Sequence, residues 1–239
     1  MFSVIRSVIN YLTLCRVSNL PTIWTNVLAA IVLSSTEFSW LDFFLLALSL
    51  SLSYSGGMCL NDIIDAPVDK IKKPFRPIPS GRISIRSASL FTSALFVAGL
   101  AILLVVPYQR SVYAGLILLV FIIAYDKSHK AHPVSVLFIA SCRLMIFVIS
   151  SIAVSGKVGS LAAMGGIIQF IYVVIISLAA RYENGRATPY SFPLIPIMIA
   201  CISLLDGALM SVFTSPAWLA AGIMGFAVTL IGQRYIKGD

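Results

Sequence analysis

The most informative segment of this 239-residue sequence is Asn61-Asp62-Ile63-Ile64-Asp65-Ala66-Pro67-Val68-Asp69-Lys70. It places three carboxylates and a carboxamide directly after a long apolar run that ends at Leu60. On a helix that turns ~100° per residue, Asp62, Asp65 and Asp69 fall within a sector of about 60°. One helix face therefore presents three acids together, immediately beyond an apolar segment.

A basic segment punctuated by proline follows these acids. Its sequence is Lys72-Lys73-Pro74-Phe75-Arg76-Pro77-Ile78-Pro79-Ser80-Gly81-Arg82. Carboxylate oxygens suit a hard cation such as Mg²⁺, and guanidinium and ammonium groups suit phosphate oxygens. Three converging acids without a cation would also repel one another. We therefore predict a Mg²⁺ site formed by Asp62, Asp65 and Asp69, together with a bound diphosphate.

Pro67 leaves the extent of this helix open. It lacks an N–H group and would clash with the carbonyl of Ile63 in an unbroken helix. The helix is expected to end near Asp65 or to restart as a new turn at Pro67, and the place of Asp69 depends on which occurs. A charge-rich, solvated helix end is the alternative interpretation, because Asp-x-x-Asp spacing alone is common.

The composition around this segment is that of a membrane protein. Hydrophobic residues make up 59% of the chain and charged residues 11%, and the mean hydropathy is +0.98. A soluble domain of this size cannot bury so much apolar surface. We predict an all-α, polytopic bundle of eight transmembrane helices, with residues 1–239 forming a single integral membrane domain. The predicted spans are residues 17–35, 41–60, 84–106, 111–125, 133–154, 160–180, 191–212 and 216–233.

Basic residues divide unequally between the two sides of the predicted bundle. If the N-terminus is cytoplasmic and the spans alternate, 14 of the 17 Lys and Arg residues lie on the cytoplasmic side. Only Arg110 and Lys157 lie opposite, and Arg143 falls within a span. By the positive-inside rule, we expect both termini and the acidic segment at the cytoplasmic face. The net charge of +8 then sets the membrane orientation of the helices and attracts anionic lipid headgroups. We expect no nucleic-acid binding.

These motifs resemble those of a known family. Asn61-Asp62-x-x-Asp65-x-x-x-Asp69, followed by Arg76-Pro77-Ile78-Pro79-Ser80-Gly81, is similar to the first aspartate-rich motif of the UbiA superfamily of intramembrane prenyltransferases. Members transfer an isoprenyl chain from its diphosphate to an aromatic, glycerol-phosphate or other acceptor. The Pro-Ile-Pro-Ser-Gly-Arg string is similar to the corresponding segment in the family branch that builds archaeal ether lipids. Arg16, and Tyr125 with Lys130, are similar to family positions near the first and fourth helices.

The resemblance implies roles for individual residues. Arg16 and Lys130 are implied to assist diphosphate binding, and we assign the catalytic roles to Asp62, Asp65 and Lys130. The expected substrate-binding residues are Arg16, Asn61, Lys70, Tyr125 and Glu183. For Arg16 and Lys70 alone, extension toward lipid headgroups is an equally good interpretation.

The chain departs from the family pattern after its sixth predicted span. The family's second aspartate-rich motif has two or three acids, whereas the loop Arg181–Arg186 contains only Glu183. Glu183 either acts as a lone second-site ligand or pairs with Arg181 or Arg186. The family also usually has nine helices, and we predict eight. This shortened pattern, with Arg-x-Glu in place of the second motif, resembles that of the Ebo-cluster (EboC-like) members of bacteria.

Two functions are compatible with these observations. The first is Mg²⁺-dependent transfer of an isoprenyl group from a prenyl diphosphate to a small-molecule or lipid acceptor within the membrane, by ionisation of the allylic diphosphate. The alternative is non-catalytic binding or translocation of a prenylated lipid, which the depleted second motif favours. Arg143, about ten residues into the fifth span, should face the bundle interior and either pair with Asp206 or bind the acceptor.

Overall fold

The computed structural model describes residues 2–34, 37–128, 132–184 and 192–236, and every regular element in these ranges is helical. Nine α-helices lie there: α1 (Phe2–Leu14), α2 (Leu20–Ser34), α3 (Trp40–Lys72), α4 (Ile85–Ile102), α5 (Ser111–Ser128), α6 (Ser135–Ser155), α7 (Ser160–Asn184), α8 (Leu194–Phe213) and α9 (Leu219–Tyr235). Short 3₁₀ turns at Val17–Asn19 and Pro216–Trp218 precede α2 and α9.

Eight segments in the described part of the chain are long and apolar enough to cross a bilayer, which confirms the predicted all-α bundle of eight spans. They are Val17–Ser34, Trp40–Lys72, Ile85–Ile102, Ser111–Ser128, Ser135–Ser155, Ser160–Glu183, Leu194–Phe213 and Pro216–Tyr235. Helix α1 is an additional element that hydropathy did not predict. Its 13 residues are too few to cross a bilayer, because a span needs about 20.

Helix α3 differs most from its predicted span, because it continues past Leu60 to Lys72 with Pro67 inside it. The expectation that the helix ends near Asp65 or restarts at Pro67 is therefore wrong. Proline removes one helical hydrogen bond, yet tertiary packing holds the helix together across this turn. Ala66, 2% exposed, belongs to a buried apolar cluster with Leu14 and residues of the following loop. Asp69 consequently stays on the same helix as the other acids.

The loop between α3 and α4 is folded against the bundle. Ile78 and Ile83 are buried in the same apolar cluster as Ala66, and the amide of Ile83 donates to the carbonyl of Pro77 at 3.1 Å. Gly81 supplies the left-handed turn between them, with φ +76°. This loop therefore has a defined position over the end of α3.

Helix α2 forms the centre of the bundle, because it packs against α3, α6, α7, α8 and α9. Its apolar side chains include Ile23 and Val27, which join a core with Leu50 and Ile149. Helices α8 and α9 approach closely through small residues, as is common in membrane bundles. A Cβ added to Gly222 would lie 2.7 Å from the Ser203 carbonyl oxygen.

Candidate active site

The acidic face of α3 is turned into the protein rather than toward solvent. Asn61, Asp62, Asp65 and Asp69 are each at most 8% exposed. They share this face because α3 continues through Pro67, so that the helical spacing anticipated from the sequence extends to the last acid. Burial of four polar side chains beside an apolar bundle requires compensating partners.

Two arginines supply those partners for Asp62 and Asp69. Nη1 of Arg76, in the α3–α4 loop, donates to Asp69 Oδ2 at 2.7 Å and to Asp62 Oδ1 at 3.1 Å. Nη2 of Arg16 donates to the same Asp62 oxygen at 3.3 Å. The sequence had placed Arg76 in the basic segment without a role. The structure brings it into the site, because the folded loop carries its guanidinium back over α3.

The backbone of Arg16 has an unusual conformation that places it at the site. With φ 47° and ψ 48°, it is the one described non-glycine residue with a positive φ. The conformation turns the chain sharply between α1 and the first span, so that the arginine lies opposite Asp62. Left-handed backbone at a non-glycine residue is disfavoured and clusters at functional sites.

Asp126 joins the cluster from α5 and was missed in the sequence. It is 3% exposed, and its Oδ1 accepts a hydrogen bond from Asn61 Nδ2 at 3.2 Å. It also interacts electrostatically with Asp65. The available signal was its place directly after Tyr125, at the same end of the bundle as the acidic segment.

The charge balance of this cluster favours a cation. Four buried carboxylates face two guanidinium groups among the described residues, so negative charge is in excess. In the described ranges, no group of three or more Asp, Glu, His or Cys side chains is arranged to hold a metal ion. Mg²⁺ usually takes only one or two carboxylates and completes its shell with phosphate oxygens and water. One or two carboxylates of this cluster would therefore be enough for Mg²⁺ shared with a diphosphate.

An internal cavity of about 200 Å³ adjoins this cluster. Arg16, Tyr125 and Asp126 line it, and its walls are otherwise mainly apolar, with Leu50 and Ile122 among them. The cavity therefore connects the charged cluster with the apolar interior of the bundle.

Arg143 lines the same cavity from α6, as expected of an arginine that faces the bundle interior. It does not pair directly with Asp206, contrary to one of the two interpretations from the sequence. Nη1 donates to Asn26 Oδ1 at 2.8 Å, and Asn26 Nδ2 donates to Asp206 Oδ2 at 2.7 Å. Asn26 therefore bridges the two charged groups.

The remaining predicted site residues have different surroundings. Tyr125 lines the cavity, whereas Lys70 is exposed and does not line it. Lys130 lies outside the described residues. Glu183 ends the sixth membrane segment and does not line the cavity. Arg181 donates to Ser135 Oγ at 2.8 Å rather than to Glu183.

Comparison with known proteins assigns the chain to a family. Residues 20–237 match the UbiA prenyltransferase family, so the protein belongs to that family. The digeranylgeranylglyceryl phosphate synthase of Sulfolobus acidocaldarius is 34% identical over 184 residues, which are 75% of this chain and 63% of the relative. That of Saccharolobus solfataricus is 36% identical over 122 residues, 51% of this chain and 43% of the relative. The chain thus covers less than two thirds of these relatives.

Solved structures share the fold. A structure described as "Structural and mechanistic insights into the biosynthesis of Digeranylgeranylglyceryl phosphate synthase in membranes" superposes with a TM-score of 0.63 at 19% identity, covering 97% of this chain and 96% of that one. The apo structure of a UbiA homolog from Aeropyrum pernix K1 gives 0.58 at 17% identity, covering 92% and 94%. Both establish a UbiA-type helical bundle.

Proposed function

We propose that this protein transfers an isoprenyl group from a prenyl diphosphate to an acceptor within the membrane, with Mg²⁺ at the acidic cluster. The observation that carries the proposal is the buried set of four acids and two arginines that opens into a mainly apolar cavity. Membership of the UbiA prenyltransferase family supports the reaction class.

In this proposal the charged residues hold the leaving diphosphate. Asp62, Asp65 and Asp69 would hold Mg²⁺, which neutralises charge on the diphosphate when bound. Arg16 and Arg76 donate to diphosphate oxygens, and their guanidinium geometry matches such acceptors. Lys130 adds a further positive charge. Groups that are already oriented stabilise charge on a leaving diphosphate more effectively than water does.

The cavity provides the surroundings that an allylic cation needs. Its mainly apolar walls exclude water, which would otherwise capture the cation before the acceptor does. Tyr54 and Tyr125 line the cavity, and aromatic faces stabilise nearby positive charge. The acceptor then attacks the prenyl carbon, whose bond to the diphosphate has broken, and the proton that the acceptor loses passes to the departing diphosphate.

The proposal includes a topology in which residues 1–239 form one membrane domain, both termini are cytoplasmic and the site opens at the cytoplasmic face. The distribution of basic residues supports it. In a cysteine-free background, Ser80→Cys should react with an impermeant maleimide only after cells are opened, and Gln109→Cys should react in intact cells. The reverse pattern would invert the topology.

The decisive experiment measures release of diphosphate from radiolabelled geranylgeranyl or farnesyl diphosphate with purified protein and Mg²⁺. Geranylgeranylglyceryl phosphate belongs among the acceptors tested, because the name of the relatives implies it. We expect release that Asp62→Ala abolishes and that Asp42→Ala, at the other end of α3, leaves intact.

Non-catalytic binding or translocation of a prenylated lipid is the second candidate. One observation favours it. Glu183 and Asp206 are the described acids after α6, and neither lines the cavity, so this part of the chain supplies no second acidic motif there. Tight, Asp62-dependent binding of the diphosphate without turnover, across chain lengths and acceptors, would establish it in place of the transferase.

A further inference from the structure

The inner part of the cavity contains a positive charge that the diphosphate site does not use. Arg143 lies eight positions after Ser135, where α6 begins near the charged cluster, and so about 12 Å deeper along the helix. A charged side chain at such depth is costly and marks functional or substrate-contacting positions in membrane proteins.

Neighbouring side chains hold the guanidinium in one orientation. Nη1 donates to Asn26 Oδ1 at 2.8 Å, and Nη2 donates to Thr22 Oγ1 at 3.0 Å. Both partners are on α2, the central helix, and both are fully buried. Arg143 is therefore oriented by rigid neighbours, as a residue that binds a ligand must be.

Asn26 is itself held by Asp206, both of whose carboxylate oxygens accept hydrogen bonds. Asp206 Oδ2 accepts from Asn26 at 2.7 Å and from Thr25 at 2.8 Å, while Oδ1 accepts from Gln169 at 2.7 Å. Asp206 therefore orients the residues around Arg143 without contacting it. No acidic side chain lies within 4 Å of Arg143 in the described ranges.

Arg143 retains hydrogen-bonding capacity beyond its contacts with Thr22 and Asn26. A guanidinium has five N–H donors, and Nε makes no hydrogen bond to the described residues. Its side chain contributes to the cavity wall near Tyr54 and Ser177, which lie on α3 and α7. A ligand in the cavity thus meets an oriented, positively charged donor on the cavity wall.

We propose that Arg143 forms an anion subsite that binds a carboxylate or phosphate group of the acceptor. This inference rests on the proposed prenyl transfer. Among the described residues, the charged cluster at the cavity mouth has excess negative charge and attracts a cation with the diphosphate, whereas Arg143 adds positive charge deeper in the cavity. An anionic acceptor is accordingly held with its charge at Arg143 and its nucleophilic end toward the prenyl carbon.

The test measures binding to the full-length protein in detergent, by equilibrium dialysis, without Mg²⁺ or prenyl diphosphate. One arm compares 4-hydroxybenzoate with neutral 4-hydroxybenzamide, and the other compares geranylgeranylglyceryl phosphate with neutral geranylgeranylglycerol. The arms distinguish a carboxylate from a phosphate as the natural anion. Because no turnover is needed, the result is independent of whether the protein proves to be a transferase.

We expect the wild-type protein to prefer the anion in at least one arm. Arg143→Gln should weaken that anion at least about tenfold and leave its neutral partner unchanged, since a charge-assisted hydrogen bond is lost. Arg143→Lys should retain part of the preference, and Arg110→Gln, in an outer loop, should retain all of it.

Three results would overturn the subsite. The first is equal binding of anion and neutral analogue by the wild-type protein in both arms, which decides the matter even if Arg143→Gln fails to fold. The second is unchanged anion binding by folded Arg143→Gln. The third, from a separate dialysis with geranylgeranyl diphosphate and Mg²⁺, is an Arg143→Gln loss confined to the diphosphate, which would assign Arg143 to the diphosphate instead.

Discussion

The guanidinium of Arg76 lies against the carboxylate of Asp69, with Nη1 2.7 Å from Oδ2. The contact forms because α3 continues through Pro67 and the following loop folds back over it. The same nitrogen reaches Asp62 at 3.1 Å, so one arginine occupies oxygens of two proposed Mg²⁺ ligands. Arg76 and a cation therefore compete for these acids. If the guanidinium instead donated to a bound diphosphate, the acid oxygens would be released for the cation.

Replacement of Arg76 tests this competition. Arg76→Gln leaves Asp62 and Asp69 buried with less compensation, and breaking such a buried pair typically costs about 3 kcal/mol or more. We expect a lower thermal unfolding temperature in detergent without divalent cations, and a smaller deficit with Mg²⁺, which can neutralise the same acids.

Arg82→Gln is the matched control for that measurement, because Arg82 donates to Asn10 and Ser80 and to no carboxylate. Its unfolding temperature should not depend on Mg²⁺ more than that of the wild type. If Arg76→Gln lowers the unfolding temperature equally with and without Mg²⁺, the cation does not bind these acids.

Asp126 should contribute to cation binding although the sequence did not single it out. Asp126→Asn halves the excess negative charge of the described cluster and can keep the contact with Asn61. We expect the Mg²⁺ concentration for half-maximal binding of prenyl diphosphate to rise at least about threefold, given the size of charge interactions near 4 Å. Asp42→Asn should leave it unchanged, and equal values for Asp126→Asn and the wild type would remove Asp126 from the site.

The polar network inside the bundle should behave as a unit. Asp206→Leu and Gln169→Leu both remove the 2.7 Å hydrogen bond between these side chains. Each should lower the unfolding temperature, and the double variant should lose less than the two losses combined, with a coupling of at least about 0.5 kcal/mol. Strict additivity would show that the two side chains are independent.

Close packing of α8 on α9 should make Gly222 intolerant of a methyl group. Glycine to alanine in a helix ordinarily stabilises by about 0.5–1 kcal/mol. At Gly222 the added Cβ would lie 2.7 Å from the Ser203 carbonyl oxygen and 2.8 Å from the Gly207 Cα, and these backbone atoms cannot move independently. We expect Gly222→Ala to lower the unfolding temperature, while Ala227→Val, on the exposed side of α9, has little effect. A gain in stability at Gly222 would refute this packing.

Local patterns in the sequence were enough to predict the eight spans and the shared face of Asp62, Asp65 and Asp69. Hydropathy over about 20 residues reports insertion in a bilayer directly, and helical spacing relates residues on the same helix. The extent of α3 was not predictable in this way, because Pro67 is locally unfavourable and only packing of Ala66 against other segments compensates for it.

Contacts between distant segments depended on tertiary structure alone. Arg76 reaches Asp69 because a loop folds back, and Asp126 meets Asn61 because α5 lies beside α3. Likewise, Asn26 stands between Arg143 and Asp206, which the sequence suggested as a direct pair. Composition and periodicity thus specify which residues enter the membrane and which share a helix face. The partners of each buried charge are selected by how the helices pack, since that selection depends on distances across the bundle that no local pattern encodes.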